Sequence, residues 1–179
     1  KTKKNKLIYI TVFALFNVLI STFIFENIFE QRHRDRINVV FGLEKDLVGI
    51  GYNTNQSKLA FNSGGVFGQG FLKGTQTKGD FIPEQHSDYI FATIGEEWGF
   101  FGSLTVISLF IVLLLRMAER TAKQTNLFYK IFSYSAITIL FIHFAINTTM
   151  VIGLFPTVGI PLPFISYGGS SLLSFMILF

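Results

Sequence analysis

Long uncharged apolar segments constrain the fold of this chain more than any other feature. Residues 7–25 and 131–152 carry no formal charge, and residues 90–115 carry charge only at Glu96 and Glu97. Each segment is long enough, at about 1.5 Å per helical residue, to cross a hydrocarbon core of roughly 30 Å. A backbone in lipid must satisfy its own hydrogen bonds, so we expect these segments to be helices.

A fourth apolar run covers residues 168–179 and is too short to span a bilayer by itself. The sequence therefore predicts an all-α polytopic membrane protein with about four transmembrane helices, the last one incomplete. Because the chain starts at Lys1 rather than Met, we interpret residues 1–179 as one membrane domain from a larger polytopic protein. The absence of cysteine excludes a disulfide framework and a thiolate metal site.

Basic residues predict which side of the membrane each loop occupies. Lysines in residues 1–6 and basic residues in 116–125 place both segments in the cytoplasm by the positive-inside rule. This puts a long loop, residues 26–88, on the extracytoplasmic side. The basic cluster in residues 31–36 departs from the rule, and it either anchors lipid headgroups or holds phosphates at the membrane surface. No nucleic-acid-binding motif is present, so we expect no nucleic acid partner.

The long loop contains glycines and spaced apolar residues rather than a low-complexity linker. We expect a short amphipathic or re-entrant segment near residues 56–61, followed by glycine turns. The sequence GGVFGQG, residues 64–70, lacks the GxxxxGK[ST] pattern of a phosphate-binding loop. We therefore favour glycines that allow positive φ and close backbone approach over a phosphate nest.

Charged residues crowd the start of the second apolar segment. Ser87 or Asp88 could cap a helix N-terminus, a position that both residue types favour. The alternative is that Asp88 acts as a general base at the outer membrane boundary, with His86 beside it. For Glu96 and Glu97 we favour a structural role, as buried polar contacts to helices outside this chain.

The segment GLFPTVGIPLPFISYGGSS, residues 153–171, contains three prolines that forbid a regular helix. Irregular backbone at membrane depth survives only where it is buried in protein or lines a cavity. The segment is therefore either a stiff turn or a cavity wall lined by hydroxyl groups.

Three motifs carry a resemblance to a known family: QSKLAFNSGGVFGQGFLKGTQ, FIPEQHSDYIFATIGEEWG and GLFPTVGIPLPFISYGGSS. In this order, separated by apolar segments, they resemble the C-terminal half of the SEDS family, which includes RodA, FtsW and SpoVE. The QSK, GTQ and EEWG sequences are more similar to RodA than to FtsW. The chain departs mildly from the family pattern at Gln85, Ser87 and Tyr89.

The resemblance implies a peptidoglycan glycosyltransferase in the bacterial cytoplasmic membrane, with its catalytic face outside. Such an enzyme polymerises lipid II into glycan strands during cell elongation, beside a class B penicillin-binding protein that crosslinks them. The family's essential acidic residue corresponds to Asp88. We expect the following residues to bind substrate: Lys58, Lys73, Glu84, His86, Ser166 and Ser170.

The chemistry of that reaction suits one acid at the membrane boundary. An inverting transfer needs one base to accept the proton of the attacking hydroxyl. The departing pyrophosphate needs cations, and Lys78 and the arginines of residues 32–36 are further candidates beside a divalent cation, Mg or Mn. The alternative function is a flippase for lipid-linked precursors, because transporters also contain broken helices and intramembrane acids.

Overall fold

The computed structural model describes residues 2–27, 29–42 and 51–178, and within these ranges the chain forms helices without a β-strand. Residues 43–50 of the predicted long loop, and the terminal residues, lie outside the described residues. The helices are α1 (Thr2–Asn27), α2 (Gln31–Phe41), α3 (Tyr52–Ser63), α4 (Thr75–Lys78), α5 (Ile90–Ala122), α6 (Leu127–Val151) and α7 (Gly169–Leu178).

Helices α5 and α6 are long and apolar enough to cross a membrane, judged by length and composition. Their large apolar side chains are widely exposed, as at Leu109 (64%), Phe128 (71%) and Phe141 (54%). A water-soluble protein rarely exposes so much contiguous apolar surface. The all-helical class is confirmed and is consistent with a membrane protein. The number of spans and the side of the long loop stay predictions.

The core forms where α5 packs between α3 and α6. Phe110 of α5 stacks on Phe144 of α6 with ring centroids 4.3 Å apart. At the other end of α5, Phe91 lies 5.9 Å from the ring of Phe61 in α3. Gly95 permits this second contact, because a Cβ there would overlap the Phe61 ring. These contacts hold α3 against the first turns of α5.

Helix α5 is broken at Gly99, whose φ of 66° and ψ of −160° are not helical. The segment after α3 satisfies the backbone groups that the break leaves free. The amides of Gln69 and Gly70 donate to the carbonyls of Glu96 and Glu97, at 2.9 and 3.0 Å. On the far side of the break, the Phe100 amide donates to the Gly65 carbonyl at 2.9 Å. The break is therefore stable because backbone from another part of the chain pairs with it.

The glycines of residues 64–70 permit this docking. Gly65, Gly68 and Gly70 have positive φ of 55°, 78° and 102°. A Cβ on Gly64 or Gly68 would overlap the α5 backbone. Close backbone approach, the interpretation that the sequence favoured, is confirmed.

Helix α5 continues to Ala122, beyond the predicted membrane span of residues 90–115, and the bounds of that span stay a prediction. Neither Ser87 nor Asp88 caps it, because the N-cap position is Tyr89 and no side chain donates or accepts a capping hydrogen bond. The turn that precedes α5 is stabilised in another way, described below.

The long loop has more helix than the sequence predicts. The segment expected near residues 56–61 lies inside α3, and glycine turns follow it as predicted. The basic cluster forms α2, and the GTQ sequence begins the one-turn helix α4. Neither of these two helices was expected. Both are short and polar on average, so no long apolar segment marks them.

Candidate functional site

The turn that carries Asp88 is organised around the backbone carbonyl of Glu84. That carbonyl accepts from the amides of Ser87 and Asp88 at 3.2 and 3.0 Å, and from the Tyr89 amide at 3.4 Å. Glu84 itself has a φ of 57°, which is uncommon for a residue other than glycine. The Ser87 hydroxyl donates to Glu84 Oε2 at 3.0 Å. These bonds fix Asp88 at the entrance to α5.

The proline-rich loop, residues 153–168, packs directly on this turn. The buried Ser166 hydroxyl donates to the Ser87 carbonyl and accepts from the Leu162 amide at 2.7 Å. The Tyr167 amide donates to the His86 carbonyl at 2.8 Å. The proline-rich loop is therefore fixed by hydrogen bonds against the Asp88 turn and forms one side of the site. Because the Ser166 hydroxyl already donates to one backbone group and accepts from another, its observed role is structural. Substrate binding by Ser166 stays a prediction.

Asn147 joins the two segments from inside α6. It is fully buried, and its Nδ2 donates to the carbonyl of Asp88 at 2.8 Å and to the carbonyl of Ile160 at 2.7 Å. One amide group thus sets the distance between the Asp88 turn and the proline-rich loop. Sequence reasoning missed this residue. The available signal was a polar amide in an apolar segment, where an unpaired amide would be costly.

The Asp88 carboxylate is half-buried against the proline-rich loop. A Cβ built on Gly159 would lie 3.1 Å from Asp88 Oδ2, and Gly159 has a φ of 74°. Burial raises the pKa of Asp88, the nearby Glu84 carboxylate raises it further, and the Ser87 hydroxyl acts in the opposite direction. A carboxyl group with a raised pKa is a stronger base once it is ionised.

Cationic side chains approach the proline-rich loop from the other side. Arg36 of α2 donates from Nη1 to the Thr157 carbonyl at 2.8 Å. Lys58 of α3 lies against Gly153, where a Cβ would overlap its side chain. Two of the predicted cations therefore lie along the same loop that contacts Asp88.

The other predicted residues occupy different places. Glu84 and His86 are exposed on the Asp88 turn. Ser170 is exposed in the first turn of α7, where its carbonyl accepts from Ser174. Lys73 is exposed beside Gly70, in the turn that precedes α4 and next to the break in α5. The structure thus brings Glu84, His86 and Ser166 together with Asp88, while Lys73 belongs to the neighbouring turn.

Glu96 has a structural role, but its partners are not the ones expected. The carboxylate is fully buried and accepts from the Gln76 amide at 2.8 Å and the Thr77 amide at 3.0 Å. The hydroxyls of Thr75 and Ser63 approach Oε1 at 3.3 and 3.4 Å. These donors belong to α4 and α3, so the expected partner helix outside this chain is wrong for Glu96. An acidic group at the N-terminus of α4 also suits the helix dipole.

A metal site is not formed by protein side chains alone in the described residues. No group of three or more His, Cys, Asp and Glu side chains there could hold an ion. Asp88 and Glu84 are two acids on one turn, so a divalent cation at this place would need oxygen ligands from substrate phosphates, as Mg²⁺ often does. The predicted cation stays a prediction.

Comparison with known proteins shows the family. The FtsW/RodA/SpoVE family, described as cell cycle proteins, matches residues 3–179, and the chain belongs to this family. The chain is 41% identical over 143 residues to the peptidoglycan glycosyltransferase MrdB of Escherichia coli, covering 80% of this chain and 39% of MrdB. It is 37% identical over 142 residues to the peptidoglycan glycosyltransferase RodA of Treponema pallidum, covering 79% of this chain and 33% of RodA.

A relative named FtsW and a solved structure are also similar to this chain. The chain is 42% identical over 138 residues to a probable peptidoglycan glycosyltransferase FtsW of Trichlorobacter lovleyi, covering 77% of this chain and 36% of that protein. Its fold matches a chain in a structure titled "Structural coordination of polymerization and crosslinking by a peptidoglycan synthase complex", with a TM-score of 0.69 and 24% identity. That match covers 97% of this chain and 46% of the other. The chain thus spans 33–39% of the length of the named relatives and 46% of the chain in the solved structure.

Proposed function

We propose that the protein containing this chain polymerises lipid II into glycan strands, as an inverting glycosyltransferase of the bacterial cytoplasmic membrane. Family membership and relatives named as peptidoglycan glycosyltransferases support this activity. The observation that carries the proposal is the state of Asp88. Its carboxylate does not cap α5, and the surrounding contacts hold its backbone firmly while leaving the acid half-buried with a raised pKa.

In the proposed reaction, Asp88 is the general base. It accepts the proton from the 4-hydroxyl of the acceptor sugar as the hydroxyl oxygen forms a bond to the anomeric carbon of the donor. The bond from that carbon to the pyrophosphate breaks, and its electron pair leaves with the pyrophosphate. No second carboxylate is needed to protonate the leaving group, unlike in a glycosidase, because pyrophosphate already leaves readily.

Substrate binding is assigned to the residues around this turn. Lys58 and Arg36 lie along the proline-rich loop, where they would stabilise the charge that develops on the leaving pyrophosphate. A divalent cation, Mg or Mn, would add to this charge stabilisation. Glu84 and His86 would shape the acceptor side of the turn. Lys73, Ser166 and Ser170 complete the proposed set on the two adjoining segments.

The proposed partner is a class B penicillin-binding protein that crosslinks the new strands. The solved structure with the matching fold is described as a complex that coordinates polymerization and crosslinking. We assign the protein to cell elongation because its QSK, GTQ and EEWG sequences resemble RodA. The catalytic turn would face the extracytoplasmic side, where the glycan strands are built.

The test is a polymerisation assay with the full-length parent protein and its partner. Wild type and Asp88→Asn would receive lipid II and a divalent cation, and the products would be separated on a gel. We expect polymer from wild type and none from the variant. The broken helix α5 is also a feature of transporters. Labelled lipid crossing a liposome membrane, without polymer from either protein, would reject the polymerase in favour of a flippase.

A further inference from the structure

A cavity beside the Asp88 turn contains three polar groups, on Gln85, Thr93 and Glu97, that the reaction proposed above does not use. We call it the Glu97 cavity. Its volume is about 430 Å³. It is bounded by the break in α5 and the 71–86 segment, and its key lining residues are Lys78, Gln85, His86, Thr93, Glu97 and Trp98.

Three polar groups of this cavity lack protein partners. The Gln85 side chain is only 7% exposed. Its Nε2 donates to Asp80 Oδ1, but its buried Oε1 has no hydrogen-bond partner in the described residues. The buried Thr93 hydroxyl also has no partner. Glu97 is 8% exposed, and its carboxylate, which is not fully buried, accepts no hydrogen bond within the described part of the chain. Leaving the buried Gln85 oxygen and Thr93 hydroxyl unpaired is costly, so a ligand that pairs with them would be stabilised in the cavity.

The three groups face the cavity from two elements. Thr93 and Glu97 are four residues apart on α5, so they lie on one face of the helix. Gln85 comes from the turn that carries Asp88. The chain therefore presents an amide oxygen, a hydroxyl and a carboxylate, a set that suits a ligand with several hydroxyl donors.

The remaining surface is apolar and aromatic. Phe71 and Trp98 line the cavity with ring centroids 6.4 Å apart, and Ile94 lies between polar groups on the same helix face. Lys78 also lines the cavity, which disfavours a cationic ligand. A carbohydrate has hydroxyl donors and an apolar ring face. The hydroxyl groups match the few polar groups of this cavity, and the ring face matches its apolar lining.

We propose that the Glu97 cavity binds a sugar of the lipid-linked substrate, with Glu97, Gln85 and Thr93 receiving its hydroxyl groups. This assignment rests on the proposed function. His86 lines three cavities: the Glu97 cavity and two neighbouring ones, of about 380 and 450 Å³, that Tyr167 also lines. The sugar site therefore adjoins the turn that carries Asp88, through Gln85 and His86.

The experiment measures binding rather than turnover. The full-length parent protein in an Asp88→Asn background would be titrated with two fluorescent probes, lipid II and undecaprenyl pyrophosphate, which lacks the sugars. The ratio of the two dissociation constants reports sugar recognition. Glu97→Gln and Thr93→Val would be compared with Thr105→Val, whose hydroxyl is exposed on the same helix and donates to the Phe101 carbonyl at 2.8 Å.

We expect Glu97→Gln to reduce the preference for the sugar-bearing lipid by about tenfold, since a hydrogen bond to a charged group contributes that much. Thr93→Val should reduce it about threefold, and Thr105→Val should leave it unchanged. An unchanged ratio in both cavity variants, or an equal loss of both lipids, would overturn the proposal. Failure of the polymerase proposal would be distinguishable. In that case the wild-type protein would form no polymer, while the cavity variants would still change the ratio of the two dissociation constants.

Discussion

Asp88 and Glu96 are two acids eight residues apart that experience opposite environments. Glu96 is fully buried, and two backbone amides and two hydroxyls surround its carboxylate. Asp88 is half-buried, and its neighbours include the like charge of Glu84. Glu96 accepts from four donors, whereas the contacts at Asp88 hold mainly its backbone and only the Ser87 hydroxyl favours its ionised carboxylate. The difference separates an acid that holds α4 in place from an acid whose backbone is held while its carboxylate stays half-buried, as the proposed base requires.

The largest effect should come from exchanging the Asp88 carboxyl group for an amide. Asp88→Asn keeps the side-chain volume and removes the base, so kcat should fall by at least a hundredfold. Stability should stay the same or rise slightly. Folding raises the pKa of Asp88, so its ionised form is disfavoured in the native state at neutral pH, and that penalty fades only as pH falls and the group is protonated.

The measurements are lipid II turnover and thermal unfolding in detergent. Glu119→Gln is the matched control, because Glu119 is exposed near the other end of α5. A stable Asp88→Asn protein with wild-type turnover would end the assignment of Asp88 as base.

The same exchange at Glu96 should have the opposite outcome. Glu96→Gln places an amide nitrogen opposite one of the amide donors of Gln76 and Thr77, and it removes the charge that favours the start of α4. We expect a loss of about 3 kcal/mol in the free energy of unfolding, with turnover lost only as far as folding is lost. Denaturant unfolding at fixed detergent would check this. A fully folded, inactive variant would show instead that Glu96 takes part in the reaction.

The sequence predicted part of this contrast. The helical class followed from the uncharged segments, and the HSD sequence directed attention to Asp88 because charge at a membrane boundary is costly. The close approach of residues 64–70 followed from glycine itself. The partners of Glu96 did not follow, because they depend on α4, a single polar turn without periodicity. Asn147 was missed because one amide in an apolar helix does not show which carbonyls it meets.

Asn147 offers an intermediate effect that tests how firmly the Asp88 backbone must be held. Asn147→Leu keeps the volume and removes both bonds from Nδ2, so the carbonyls of Asp88 and Ile160 lose a donor. We expect about a tenfold fall in kcat from misplacement of the base, with a loss of roughly 2 kcal/mol in stability.

Thr138→Val on the same helix is the control, because its exposed hydroxyl donates to the Tyr134 carbonyl at 2.8 Å. Turnover per folded molecule should fall only in the Asn147 variant. Equal turnover per folded molecule in both would mean that the bonds from Asn147 support the fold but do not position Asp88.

The smallest effect concerns the like charge beside Asp88. Burial raises the pKa of Asp88 first, and the Glu84 carboxylate raises it further. The base is active only when ionised, so kcat/KM should fall as pH drops through this raised pKa. Glu84→Gln removes one cause of the rise, and the acid limb of the pH profile should therefore move to lower pH. Glu119→Gln should leave the limb in place. A limb that stays fixed in Glu84→Gln would mean that the group titrating in the profile is not Asp88.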